Sequence, residues 1–163
     1  MPARRYSREE LLAAPVGCTH PQPVRFQDID AAGIVFFPRV FEYCHDAFVR
    51  FLAAAGEPLP AALVTKSWSG PLTHAEADFL RPMRFGDELQ IQIVAGELSG
   101  STMTLGYRLT VSELLPEQGT RLRVPGEVVA VAQTVHVFVE PKTFQRIPPP
   151  ARISAAVARL SAR

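Results

Sequence analysis

Two carboxylates stand one residue apart in the segment Arg25-Phe26-Gln27-Asp28-Ile29-Asp30-Ala31-Ala32-Gly33-Ile34-Val35-Phe36-Phe37-Pro38. A carboxylate against an apolar wall, here Ile34 to Pro38, can serve as a nucleophile or a general base. Gly33 allows a backbone shape that other residues resist. A helix predicted to begin at Pro38 would present N–H groups that have no partner inside the helix and carry partial positive charge. An attacking or activating group beside an anion-stabilising one is what hydrolysis of an acyl carbonyl requires. On pattern alone the same Asp-x-Asp also serves turn chemistry or helix capping. A calcium loop is a third reading, but Ala31, Ala32 and Gly33 stand where further oxygen ligands belong.

The other reactive side chains are scattered. His20, His45, His74 and His136 show no metal-ligand spacing, and each has an ordinary reading as a hydrogen-bonded structural histidine. Cys44 and His45 are neighbours on a helix, so their side chains diverge by about 100° and cannot act as a nucleophile–base pair. Glu76 and Asp78 share one face of a strand, where solvation is their ordinary state.

These residues need a scaffold. A short strand is predicted over 24–27, and a helix follows with the apolar stripe Val40, Phe41, Cys44, Phe48, Phe51, Leu52 and Ala55 at spacings of three and four. Gly56 ends it and Pro58 prevents its return. Residues 57–72 read as an irregular connection with room for a short helix. Four strand patterns come next: Ala75, Ala77 and Phe79 alternate with polar residues in the first. Leu89, Ile91 and Ile93 do so in the second, and Met103 to Val111 in the third. The run 128–139 is apolar throughout and reads as covered on both faces. Arg84-Phe85-Gly86-Asp87 and Ser99-Gly100-Ser101 are turns between them, and the loop 116–126 interrupts the last hairpin. One long helix followed by antiparallel strands specifies an α+β fold in which the sheet wraps the helix. The expected organisation is an extension over 1–20, one domain over 21–150, and a tail or short helix over 151–163.

Composition narrows the function. The chain has 163 residues, 47% hydrophobic and 20% charged, with a net charge of +1, so no overall field draws it to nucleic acid or an acidic membrane. No apolar run approaches the roughly 20 residues that cross a bilayer. After Arg4-Arg5 no apolar stretch completes an export signal. Two cysteines support neither a disulfide framework nor a Cys-rich metal site. These features set the expectation of a cytoplasmic protein without a metal, nucleic-acid or membrane partner.

The segment from Val24 to Gly56, with Asp28-Ile29-Asp30-Ala31-Ala32-Gly33-Ile34-Val35-Phe36-Phe37-Pro38 at its centre, resembles the 4-hydroxybenzoyl-CoA thioesterase family. The likeness extends through Pro71 to Pro82, Phe85-Gly86-Asp87-Glu88-Leu89 and Thr134 to Val139. It implies a hotdog fold: a long central helix wrapped by a curved antiparallel sheet of about five strands. It also implies dimers joined sheet edge to sheet edge, often paired into tetramers. The resemblance assigns the catalytic carboxylate to Asp30, the donor that polarises the thioester carbonyl to the Phe37 backbone N–H, and close approach of chain and ligand to Gly33. Asp28 matches an accompanying acidic position.

Phe36, with Phe37 and Phe41, suits a flat aryl acyl group. The pairing of Cys44-His45 with Pro71-Leu72-Thr73-His74 is similar to thioesterases acting on 1,4-dihydroxy-2-naphthoyl-CoA. His45 and His74 are therefore candidate substrate contacts. Where the family member acting on 4-hydroxybenzoyl-CoA carries a basic cluster for CoA phosphates, this chain has Glu97 to Thr102, whose Ser99 and Ser101 supply only hydroxyls and N–H groups. Arg84 leads the cationic candidates, with Arg81, Lys142 and Arg146. The expectation is hydrolysis of an acyl-CoA, aromatic before aliphatic, with no cofactor. A non-catalytic acyl-CoA-binding domain is the rival, and a hydratase is disfavoured because Gly33 or Val35 stands where that chemistry needs a histidine.

Overall fold

A computed structural model of the chain describes residues 3–113 and 124–161, so the 116–126 loop lies outside the described residues except for its last three. The elements in order are α1 (Arg8–Ala13), β1 (Cys18–Pro23), a 3-10 turn (Phe26–Asp28), α2 (Arg39–Ala54), α3 (Leu59–Thr65), β2 (Leu72–Phe79), β3 (Glu88–Ser99), β4 (Thr102–Glu113), β5 (Val128–Val137) and α4 (Ala151–Ser161). The strands form one antiparallel sheet in the order β1-β3-β4-β5-β2. Long α2 lies on one face of this sheet, as expected for a hotdog. Among the described residues no single helix is long and apolar enough to cross a membrane.

Period-two patterning builds the core. Met103, Leu105, Tyr107, Leu109 and Val111 of β4 and Leu89, Ile91 and Ile93 of β3 are buried against α2. The buried face of α2 is Val40, Tyr43, Cys44, Ala47, Phe48, Phe51 and Leu52. The stripe read from the sequence omitted Tyr43 and Ala47 and included Phe41, which is only half-buried. The apolar stripe of a helix facing a sheet is wider than a single row of residues, and Tyr43 is admitted because its hydroxyl has a buried partner, described below. Gly56, at φ +81°, closes the helix. From the chain's end, α4 returns over β3, where Gly96 leaves room for Leu160 and Val157.

Three expectations change. The first strand is Cys18–Pro23, not 24–27. Pro21 and Pro23, which read as brackets, lie within it opposite Gln90 and Glu88, and an edge strand tolerates such donors' absence. Phe26 to Asp28 turn instead into a 3-10 helix. Secondly, β2 has no buried apolar face: it is the other edge, half-exposed or exposed throughout, with Phe79 50% exposed.

Thirdly, the N-terminal segment is a strap across the outer face of the sheet. Ser7 and Glu10 form a reciprocal capping box that starts α1. Leu11, 2% exposed, packs with Val94 and Val131, and sits where any side chain on Gly106 would be. The buried amide of Gln133 accepts from Tyr6 N–H at 2.9 Å and donates to Tyr6 C=O at 2.8 Å. Thr104 donates to the Arg4 carbonyl, and Arg108 donates to those of Leu12 and Ala14. The strap explains why β5 is covered on both faces: Val131 meets Leu11 while Ala130 and Ala132 join the α2 core.

Candidate active site

Asp28 anchors the chain ahead of α2. It is fully buried, and its carboxylate accepts from the Arg25 N–H at 3.0 Å, from the Arg25 guanidinium at 3.1 and 3.2 Å, and from the Tyr43 hydroxyl at 2.9 Å. Arg39 stands 3.7 Å away. Burial alone would push the Asp28 carboxyl up, but the Arg25 and Tyr43 donors outweigh it and hold it below its ordinary value. Its oxygens are thus occupied inside the fold. Asp28, the accompanying acidic position, is thus tied to Arg25 and Tyr43 within the fold.

From that anchor the chain folds into a small hairpin. Phe36 N–H donates to the Asp28 carbonyl at 2.8 Å, Ile29 bridges Val35, and Asp30 N–H donates to the Ile34 carbonyl at 2.9 Å. Gly33, at φ +74°, donates to the Asp30 carbonyl and makes the reversal. Nothing lies within 4 Å of where its Cβ would be. Within the chain, then, it is the backbone angle that requires glycine. Asp30 at the tip is half-buried. One carboxylate oxygen accepts from Ala32 N–H at 2.8 Å, and the other takes no hydrogen bond among the described residues.

The start of α2 leaves one donor open. Phe36 N–H is bonded to Asp28, Pro38 has none, and Arg39, Val40 and Phe41 donate back to the carbonyls of Phe36, Phe37 and Pro38. Among the described residues no acceptor stands on the Phe37 N–H. It lies at the positive end of a 16-residue helix. The Phe36 and Phe37 rings are exposed, with centroids 5.2 Å apart and edge to face. Asp30, an open N–H and two exposed aryl rings are thus carried on one short hairpin ahead of α2.

The remaining candidates divide between the two ends of the sheet. Val35 N–H donates to the Met83 carbonyl and Val24 N–H to that of Asp87, so the Arg84 turn lies at the Asp30 end, with Arg84 exposed. Ser99 and Ser101 sit in the β3–β4 hairpin, at the far end of a 12-residue strand that spans about 35 Å at the usual rise. His74 lies in the first half of β2, with its ring 3.3 Å from the Arg5 guanidinium and 3.0 Å from the Glu76 carboxylate. One chain does not bring these three to Asp30. His45 is exposed on α2, 5.7 Å from the Phe48 ring.

Sequence reasoning passed over the residues that hold the site. Arg25 and Tyr43 clamp Asp28, and the only available signal was a tyrosine in line with an apolar helix face. Phe48 stacks at 4.3 Å on His136, which is buried between the Gly70 carbonyl and Thr134. Burial pushes that imidazole down to about 4. Thr134 in turn bonds the Tyr107 hydroxyl.

The chain is similar in sequence and in fold to known proteins. The chain is 36% identical over 122 residues to a 1,4-dihydroxy-2-naphthoyl-CoA hydrolase of Nostoc punctiforme, covering 75% of this chain and 74% of that one. It is 35% identical over 131 residues to a protein of the same name from Synechococcus elongatus, covering 80% and 87%. The solved structure of a 1,4-dihydroxy-2-naphthoyl-CoA thioesterase from Synechocystis superposes with a TM-score of 0.73 at 25% identity, over 88% of this chain and 96% of that one. Residues 24–157 match the model of a thioesterase-like superfamily. With that match spanning the Asp30 hairpin, α2 and every strand from β2 to β5, the chain belongs to the thioesterase-like superfamily.

Proposed function

We propose that this protein hydrolyses an aromatic acyl-CoA to the free acid and CoA, with Asp30 as nucleophile or general base and the Phe37 N–H as oxyanion donor. Membership of a thioesterase-like family and relatives named as acyl-CoA hydrolases make the chain a thioester hydrolase. The observation that carries the assignment of parts is the Phe37 N–H, left open at the start of α2 while its neighbours are engaged. In the general-base form, Asp30 takes a proton from water as the water oxygen bonds to the acyl carbon. The C–S bond then breaks and the thiolate of CoA takes up the proton. Charge developing on the carbonyl oxygen is met by the Phe37 N–H and the helix dipole. The aryl class is supported by the exposed Phe36 and Phe37 rings, which offer faces and edges to a flat acyl group, and by the relatives' names.

The working form in this reading is a homodimer, alone or paired into a homotetramer, in the cytoplasm. β2 is an unpaired edge eight residues long, and its exposed ends, Leu72 and Phe79, are apolar. Antiparallel pairing of two β2 edges about a two-fold axis sets the Ser99 end of one chain beside the Asp30 end of the other. In that arrangement His74, Ser99 and Ser101 reach the site from the second subunit.

Thiol release measured across dihydroxynaphthoyl-, benzoyl-, acetyl- and octanoyl-CoA tests the reading. Turnover is expected to be fastest with the aryl esters and to fall at least 100-fold in Asp30→Asn with the fold intact. Undiminished hydrolysis by that variant would remove Asp30 from the mechanism, and inactivity of the wild type across the panel would remove the activity.

A further inference from the structure

The outer face of β2 carries charge that the strap meets at one end only. Ala75 and Ala77 stand opposite Thr134 and Ala132, which belong to the α2 side of the sheet through the Tyr107 hydroxyl and the core. His74, Glu76 and Asp78 stand opposite Val135, Gln133 and Val131 and so face the strap. Arg5 of the strap reaches this row. Its guanidinium lies 3.3 Å from the His74 Nδ1 and 3.7 Å from the Glu76 carboxylate. The imidazole meets that carboxylate at 3.0 Å through Nε2, and the Gln133 amide donates to its other oxygen.

Asp78 is left over. It is exposed, and among the described residues its carboxylate takes no hydrogen bond and no ion pair. It lines a cavity of about 320 Å³ between the strap and β2, together with Glu76, Ser7 and Arg8. The one cation on those walls, Arg8, lies 3.5 Å from Glu9. Arg5 keeps to the other end of the row, since His74 and Asp78 are about 13 Å apart along the strand.

We propose that Arg5 clasps a dimer: the guanidinium of each strap bridges the seam between two β2 edges and pairs with Asp78 of the partner subunit. The proposal rests on the β2-edge dimer described above. Two antiparallel strands about a two-fold axis keep each residue opposite one on its own face. From His74 onward, even-numbered residues therefore oppose even-numbered ones. For the strand Leu72–Phe79, the axes nearest the middle pass through Ala75 or Glu76. In the first case His74 stands opposite the partner's Glu76 and diagonal to the partner's Asp78. In the second it stands opposite the partner's Asp78. Both bring that carboxylate within the roughly 5–8 Å over which cross-strand side chains meet, and an arginine seated on His74 spans such a gap. Both also set the two Glu76 carboxylates opposite or diagonal to each other, which disfavours pairing unless cations stand by. Arg5 supplies one from each side.

Sedimentation of the full chain over a range of concentrations measures the dimer dissociation constant. Arg5→Glu and Asp78→Lys are each expected to weaken the dimer about tenfold, since each reverses two symmetry-related contacts. The wild-type constant should rise with salt. Arg5→Glu/Asp78→Lys restores an opposite pair across the seam and should return to within about threefold of wild type. Because no hydrogen bond or ion pair holds Asp78 within its own chain, Asp78→Lys leaves the strap in place. Amide exchange over residues 8–13 should match wild type in that variant. A dimer unmoved by Asp78→Lys, or a double variant as weak as the two single losses multiplied, would overturn the clasp and leave the dimer standing. A wild type that sediments as one chain at every concentration would remove the dimer reading, and the clasp with it.

Discussion

Asp28 and Asp30 are the same residue type one position apart, and burial separates their roles. Asp28 is surrounded by donors, so Tyr43→Phe, which removes one from a buried carboxylate, is expected to cost about 1–3 kcal/mol in a urea unfolding series. Because its folded pKa is depressed, Asp28 contributes stability that is present above its unfolded value and lost as pH falls through the folded one. His136 acts in a higher window with the same sign. Its imidazole is pushed down to about 4 by burial, so the unfolded chain binds the proton first, and stability drains as pH falls from the ordinary histidine value toward 4. Between pH 7 and pH 5 the loss should be about 2 kcal/mol by urea unfolding; a flat profile across that window would show that His136 keeps its ordinary titration. At this scale the Asp-x-Asp pattern was legible and the division of labour was not. A buried clamp from Arg25 and Tyr43 leaves no periodic trace, and the resemblance alone singled out Asp30.

Elements were legible where one face meets the core and the other meets water. The helix and strands β3 and β4 show such periods, β5 shows instead an unbroken apolar run covered on both faces, and the structure has all four within a few residues of their expected bounds. Edges and straps lack that contrast. β1 contains two prolines and carries no period-two signal, whereas β2 was legible from the alternation of Ala75, Ala77 and Phe79, and only its place as a half-exposed edge was not. The strap folds because sheet residues far along the chain, Thr104, Arg108 and Gln133, are placed to bind it. Gln133→Leu keeps the volume and removes both bonds to Tyr6. Amide exchange over residues 8–13 should then rise at least tenfold, since local opening is governed by few contacts, while exchange in β3 and β4 stays slow. Equal exchange in variant and wild type would mean that Leu11 alone holds the strap.

For the whole molecule, the proposed pairing of β2 edges makes that strand the place to test whether one chain suffices. Leu72→Lys/Phe79→Lys puts like charges where two β2 edges would meet. Light scattering should then report a mass of one chain instead of two, with circular dichroism unchanged and thiol release falling in step with the dimer fraction. Full activity in a demonstrated monomer would place Asp30, Phe36 and Phe37 in a self-sufficient site. Seen from the outer face, the strap has an evolutionary consequence as well. The sheet grips it mainly by main-chain atoms, the Tyr6 N–H and the carbonyls of Arg4, Tyr6, Leu12 and Ala14. Leu11, the Ser7–Glu10 capping pair and Tyr6 and Ala14 beside Leu11 are held by their side chains, whereas the exposed Arg8, Glu9 and Ala13 are free to drift; the receptor residues on the sheet, Gln133 above all, are not. A saturation library over residues 4–14 should tolerate most substitutions at Arg8, Glu9 and Ala13 and few at Leu11, Ser7 or Glu10, and the same library at Thr104, Arg108 and Gln133 should tolerate few.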